Sequence, residues 1–345
     1  VVKLLRSTLK AAAYAATAAL APMLMRGLPG SRLLILTYHR VLPPTHPARE
    51  YEEQGMMVSA QNLEMHLRLI GGYATFMHLD DWLDQRDAGA TLPRLTCAVT
   101  FDDGWSDNYH HAFAVLQRMQ IPATIFLATA RIGTVLGFWP TTLGRLLFEA
   151  WQQDNHAIIE ALADRLPLVR WSKSVPITAR RAVAYEVIDQ LKKSYLDQEI
   201  DAALTLLAAA QMRNQQPDLL DWEQVRRMAD TGLIKLGSHT RNHRRLNARL
   251  DAKLLDEEIV ISAMEIAGQT GNHPGGFCYP NGDASREALH KVRKTYRYSV
   301  LNTPGINPLG VEPHGLKRIG LHDGSGASAK AVLGRLACAY LGVGN

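Results

Sequence analysis

Cysteine is scarce in this chain. Three residues in 345, Cys97, Cys278 and Cys338, form no Cys-x-x-Cys pair and are odd in number. That count indicates neither a disulfide framework nor a cysteine zinc site. Cys97 and Cys278 sit in apolar runs and read as small buried hydrophobes. No phosphate-binding loop or dinucleotide fingerprint is present: GDASREAL at 282–289 does not fit one, and DGSG at 323–326 reads as a turn. Zinc-finger spacing, a helix-turn-helix and a basic stripe interleaved with aromatics are all lacking, so nucleic acid is not an expected partner. No repeat of 20–50 residues is visible. The net charge of +5 is modest and spread along the chain. RNHRR (241–245) and KVRKTYR (291–297) could suit an anionic surface but read first as solvated faces.

A long hydrophobic run is lacking too. The apolar stretch AAAYAATAALAPMLM at 11–25 is short for a membrane span. With Lys3, Arg6 and Lys10 before it and an Ala19-Leu20-Ala21 site, it resembles a secretory signal, although Pro22 argues against cleavage. The alternative is a helix over residues 1–30 that packs on the domain or lies on a membrane surface. An exported, periplasmic or membrane-associated location is the expectation.

What is present is ordinary globular composition, 47% hydrophobic and 21% charged. LLILTYH (33–39), TCAVTF (96–101) and ATIFLAT (123–129) read as buried strands, with helices at 59–70 and 106–119 between them. Strand, helix and strand with short connections make parallel βαβ units. VLPPTHPARE (41–50) is a proline-rich loop. Residues of about 131–218 carry helical periodicity throughout and read as a helical insertion. A helix at 221–232, capped by Asp221, then returns the chain to alternation: LIKLGSH, a helix over 251–270, GGFCYP, SREALHKVRKT, YRYSVLN and LKRIGL. The main domain would span 31–325, followed by a C-terminal helix at 326–345. Six or seven buried strands alternating with helices suit a (β/α) barrel or a doubly wound sheet, and in both the chemistry lies at the carboxyl ends of strands.

Two such ends carry unusual polar residues. VTFDDG ends a buried run with adjacent carboxylates, Asp102 and Asp103. Each costs desolvation and each repels the other, so a cation or a catalytic need must offset them. GSHTRNHRRL places His239 and His243 four apart, which on a helical turn puts both imidazoles on one face, within reach of one ion. Two imidazoles and a carboxylate suit a divalent cation with positions left open, and the second carboxylate can then serve as base. Taken singly, a His-x3-His pair is often not a ligand pair, and Asp-Asp-Gly after a strand is often only a turn. Their joint occurrence points to a metal hydrolase.

In these residues the chain resembles the polysaccharide deacetylase (NodB-homology) family, carbohydrate esterase family 4. TFDDG (100–104) is similar to that family's first motif and HTRNH (239–243) to its second. FCYPNG (277–282) stands where the third belongs, and TYHRV (37–41) is similar to the opening strand of many members. The resemblance covers about residues 32–322. It implies an α/β fold, a distorted (β/α)7 barrel, and metal-dependent removal of N-acetyl groups from the amino sugars of a glycan. By the same resemblance Asp102 would be the general base, and Asp103, His239 and His243 would hold one divalent metal, usually zinc. The backbone N–H of Asn281 would face the developing oxyanion. His322, in Gly320-Leu321-His322, would be the general acid, with His314 behind it. His39 would line the site. Trp105, Tyr279, Trp139 and Tyr109 would be candidates to stack on sugar rings.

The chain departs from the pattern at two places. Cys278 occupies the third-motif position where many members have an arginine that orients the catalytic Asp. Its usual fourth-motif partner, an Asp near a Trp, is not evident in YRYSVLNTPGIN (296–307). Loss of both members of a buried ion pair is coherent, since a lone buried charge costs more. The expectation is a variant whose base is tuned differently. A glycan-binding protein with a vestigial site, and an amidohydrolase of small non-sugar amides, are the alternatives.

Overall fold

The structure is a computed structural model and describes residues 16–27, 30–134, 137–211, 218–247 and 250–342. The chain divides into two compact units, one of residues 1–43, 54–132 and 220–345, the other of residues 44–53 and 133–219.

The larger unit is built on β1 (Arg32–Tyr38), β2 (Leu95–Phe101), β3 (Ala123–Leu127), β4 (Ile234–Ser238), β5 (Gly276–Cys278), β6 (Tyr298–Val300), β7 (His314–Leu316) and β8 (Ile319–Gly320). Each of β1 to β7 pairs in parallel with the next in sheet order, except that β7 passes to β8 across Lys317 and Arg318 only. β8 then pairs in parallel with β1, matching Leu36 with Ile319 and Thr37 with Gly320. The sheet therefore nearly closes into a barrel. An antiparallel strand at Asn307–Pro308 and a short parallel one at Thr75–Phe76 attach at β1 and β2.

The pattern of burial explains why these runs are strands. Every residue of β2 and of β3 is buried, so both faces are covered, as a parallel barrel requires. The helices between them start where side chains can accept orphan backbone N–H groups. Ser59 caps Ala60–Gly71 by accepting from Asn62 N, and Asp221 caps Trp222–Ala229 in a full capping box with Gln224. Because all the strands from β1 to β6 run the same way, their carboxyl ends lie together on one rim. That rim carries His39, Asp102, Asp103, His239 and the turn at Tyr279–Gly282.

Residues 16–27 are helical, and Ala21 and Met25 are buried in the main core together with Val332 and Leu336 of the helix Ala329–Leu341. Thr17 Oγ1 donates to the Gly334 carbonyl at 3.2 Å. The basic start of the signal-like segment, Lys3, Arg6 and Lys10, lies outside the described residues. No described helix is long and apolar enough to cross a membrane.

The smaller unit has its own apolar core, including Leu143, Leu147, Leu162, Leu191, Ile200 and Leu204, gathered from helices Trp139–Gln152, His156–Arg165, Arg180–Ser194 and Asp197–Gln211. The distant segment 44–53 belongs to it. Buried Glu52 accepts from Thr141 Oγ1 at 3.0 Å, and Tyr51 OH accepts from Arg145 Nε at 3.1 Å.

Candidate active site

The chain leaves β2 through Asp102, Asp103 and Gly104, and the last two have φ of 79° and 82°. A side chain at 104 would meet Leu127 and Ile132 at 3.0 Å, so the glycine is needed both for its conformation and for the close approach of β3. The turn points Asp103 into the barrel mouth, buried. Its Oδ2 accepts from the Trp105 indole N–H at 2.7 Å. Its Oδ1 lies 3.3 Å from His239 Nε2 and 3.4 Å from His243 Nε2, and is buried without a hydrogen-bond partner.

His239 follows β4. Its backbone N–H donates to the Leu127 carbonyl at 2.8 Å, and its Nδ1 lies 2.8 Å from the Cys278 carbonyl. A carbonyl can only accept, so Nδ1 carries a proton there, which leaves Nε2 as the atom turned to Asp103. The ligand atoms of Asp103, His239 and His243 all lie within 4.8 Å of one another. An orphaned buried carboxylate oxygen faced by imidazole nitrogens is the donor set of a divalent cation site. Burial alone would raise the Asp103 pKa, but the facing imidazoles outweigh it and keep the carboxyl below its usual range.

One expectation about this loop is corrected. His239 to His243 is not a helical turn: Thr240 and His243 take φ of 65° and 61°, and the rings meet edge to face with centroids 4.8 Å apart. Two left-handed residues fold the loop back on itself and achieve by backbone reversal what a helix achieves by period.

Asp102 is also buried, and its partner is one the sequence did not announce. Arg318, between β7 and β8, donates Nη1 to Asp102 Oδ1 and Nη2 to Asp102 Oδ2, both at 2.7 Å. The same guanidinium donates to Cys278 Sγ at 3.1 Å, Asn302 Oδ1 at 2.9 Å, the Leu301 carbonyl at 3.1 Å and Thr100 Oγ1 at 3.2 Å. An arginine on Asp102 is therefore not lost but supplied from the connection between β7 and β8, across a position where Cys278 is short enough to admit it. Asn302 stands beside it as a neutral partner. Burial would push the Asp102 pKa up, but Arg318 prevails and holds it at about 2, so the carboxyl is ionised at neutral pH. Asp102, His239 and Cys278 could also be read as a cation site. The guanidinium already supplies the positive charge there.

With this geometry in view, the comparisons with known proteins are informative. The family model described as polysaccharide deacetylase matches residues 89–299, more than half of the chain. The chain belongs to the polysaccharide deacetylase family. Among solved structures it is similar to IcaB from Ammonifex degensii, at 18% identity and a TM-score of 0.56, covering 88% of this chain and 98% of that one. The Streptococcus pyogenes deacetylase PplD, solved in complex with acetate, aligns at 14% identity and a TM-score of 0.58, covering 89% and 99%. BC0361, a polysaccharide deacetylase from Bacillus cereus, aligns at 17% identity and a TM-score of 0.54, covering 88% and 69%. At these identities the structures establish a shared fold. No curated protein sequence matches the chain.

The deacetylase places its remaining candidates unequally. His39 directly follows β1, with Nε2 3.7 Å from Asp102 Oδ2. The register of β1 with β2 and with β8 sets His39 between Asp102 on one side and His322 on the other. Asn281 is exposed at the turn after β5, with φ of 56°. Several expectations change. Trp105 is not a rim platform: it is 1% exposed, its N–H supports Asp103, and Arg40 stacks over its ring at 4.1 Å. Tyr279 is fully buried and packs edge to face on Phe277, which leaves no face for a sugar. His314 opens β7, four residues before Arg318, and is set apart from the carboxyl rim. In the smaller unit, Trp139 is buried and its Nε1 donates to Asp197. Tyr109 stacks on Phe113. The RNHRR cluster is not a free cationic face either, since Arg241 pairs with Glu257 and Glu265 and Arg244 lies 3.4 Å from Glu258.

Burial, with Arg335 nearby, lowers the His322 pKa to about 4. His322 is therefore a neutral imidazole at pH 7. Because its folded value lies below the ordinary 6.5, its neutral form stabilises the fold fully above about pH 6.5, and this is lost as pH falls through about 4. In an NMR titration, the His322 ring resonance is expected to hold its neutral shift down to about pH 5. A midpoint near 6.5 would contradict the buried placement.

Proposed function

We propose that this chain is a metal-dependent deacetylase that removes N-acetyl groups from the amino sugars of a glycan. The observation that carries the reading is the unsatisfied Asp103 Oδ1 facing the Nε2 atoms of His239 and His243, beside an Asp102 kept ionised by Arg318. Asp103, His239 and His243 would hold the cation, for which this donor set favours zinc. When bound it would lend Lewis acidity to the amide carbonyl and the attacking water.

The chain's own residues supply the rest. Asp102 accepts a proton from water as the water oxygen bonds to the acetyl carbon. The Asn281 backbone N–H, on the rim turn, donates to the oxygen of the carbonyl as it gains charge. The carbon–nitrogen bond then breaks, and the departing nitrogen takes up a proton, leaving acetate and a free amine. His322 is the candidate to deliver that proton. Because it is neutral at pH 7, it must first receive one within the cycle, and His39 lies between it and Asp102.

Acetate release from N-acetylglucosamine oligomers tests the reading. Metal-stripped protein is expected to release acetate at background, and added zinc or cobalt to restore turnover. Release that ignores metal would overturn the metal assignment. Stoichiometric metal without release, and activity only on small acylated amides, would overturn the glycan assignment in favour of an amidohydrolase. Saturable sugar binding without any turnover would favour a binding protein.

A further inference from the structure

We infer that Glu258, which lies outside every motif named above, is a positioning residue for the His243 arm of the metal site. This rests on the metal reading just proposed. The loop from His239 to Arg245 has no regular structure and carries two left-handed residues, Thr240 and His243. Such conformations are costly and persist only where surrounding bonds over-determine them. Glu258 supplies those bonds. Its Oε2 accepts from the backbone N–H groups of Arg241 at 3.1 Å and Asn242 at 2.8 Å. Its Oε1 accepts from Asn242 Nδ2 at 2.9 Å and lies 3.4 Å from Arg244 Nε.

The carboxylate is wholly buried. Two successive backbone N–H groups closing on one anion form a small nest, and here the anion belongs to the protein. Glu258 can reach the loop because its helix widens locally, with a π-helical segment at Glu257–Ile261 between Ala252–Asp256 and Ser262–Thr270. From the other side, Ala130 N donates to the Arg241 carbonyl at 2.8 Å. The loop is thus gripped by its carbonyls from the end of β3 and by its N–H groups from Glu258. His239 does not depend on this grip, because β4 and the Cys278 carbonyl fix it. His243 lies one residue beyond the clamped pair.

The test is zinc affinity, measured by competition with a chromophoric chelator on the full chain, with melting followed in parallel. Glu258→Gln keeps the shape and one acceptor oxygen but presents an amide N–H₂ to donors. It is expected to weaken zinc binding by about 10- to 100-fold, the range for partners that orient a ligand. Asn242→Ala, which removes one bond of the clamp and leaves the carboxylate buried, should weaken it less, and decides the matter if the Glu258 variant does not fold. In a His243→Ala background, Glu258→Gln should cost no more than about twofold further, because the ligand it positions is already gone. Unchanged affinity in folded Glu258→Gln, or a full additional loss in the His243→Ala background, would overturn the positioning role. Failure of the unmodified protein to bind zinc would instead overturn the metal reading, so the two failures are distinguishable.

Discussion

Asp102→Asn is expected to lower kcat for acetate release by about 10²- to 10⁴-fold while zinc content stays at one per chain. The amide keeps the size of the carboxylate but cannot take a proton from water, and Asp103, His239 and His243 are untouched. The substitution also leaves Arg318 buried without its counter-ion, since both carboxylate oxygens accept from it at 2.7 Å. A lower melting temperature is therefore expected alongside the lost rate. Kinetics should be read at a temperature where circular dichroism shows the variant folded. Turnover within tenfold of the unmodified protein would remove Asp102 from the role of base. Loss of zinc together with activity would instead make Asp102 part of the cation site.

The second large effect is expected at Arg318. Arg318→Met keeps the apolar stem and removes the guanidinium, stranding an ionised, fully buried Asp102. Removing one partner of a buried ion pair destabilises by roughly 3–5 kcal/mol. The effect should depend on pH in a defined direction. The Asp102 pKa is depressed from its ordinary 3.8 to about 2, so the pair's contribution is complete above about pH 4 and is lost as pH falls through about 2. The difference in stability between the two proteins should therefore shrink on acidification. The rate should fall as well, because the base loses its orientation. An arginine placed on the opposite side of Asp102 should compensate in part: Cys278→Arg in the Arg318→Met background is expected to recover stability and some kcat. Arg318→Met with unchanged melting and unchanged turnover would show that the bidentate contact has no role in either.

These two predictions also mark how much of the molecule could be read from its residues. Asp102 and Asp103 were legible because adjacent carboxylates at the end of a buried strand need an offset, and His239 and His243 because their types and spacing suit a cation. The strands were legible because both faces of β2 and β3 are covered, which leaves continuous apolar runs. Cys278 is visible in the sequence as a departure, but the arginine that meets Asp102 from position 318 is not. The signal is present in LKRIGL, where two charged residues, Lys317 and Arg318, interrupt the last apolar run. Nothing local says that this arginine turns inward, because that depends on β8 pairing with β1 and bringing residue 318 over Asp102. The burial of Trp105 and Tyr279 is not legible for a related reason: an aromatic side chain serves equally well as a platform or as filling, and burial alone separates the two.

Segment 44–53 joining the smaller unit, the left-handed turn that brings His243 back to His239, and Glu258 beneath that turn left no mark that spacing could reveal. By itself the sequence determined the strand and helix alternation, the two charged strand ends and the chemistry those residue types allow, since each follows from side-chain polarity over a few neighbouring positions. The tertiary structure alone decided which segment supplies the arginine, which aromatics are buried and what grips the ligand loop. Those are contacts between residues far apart in the chain, and they exist only once the barrel nearly closes and brings its strand ends onto one rim.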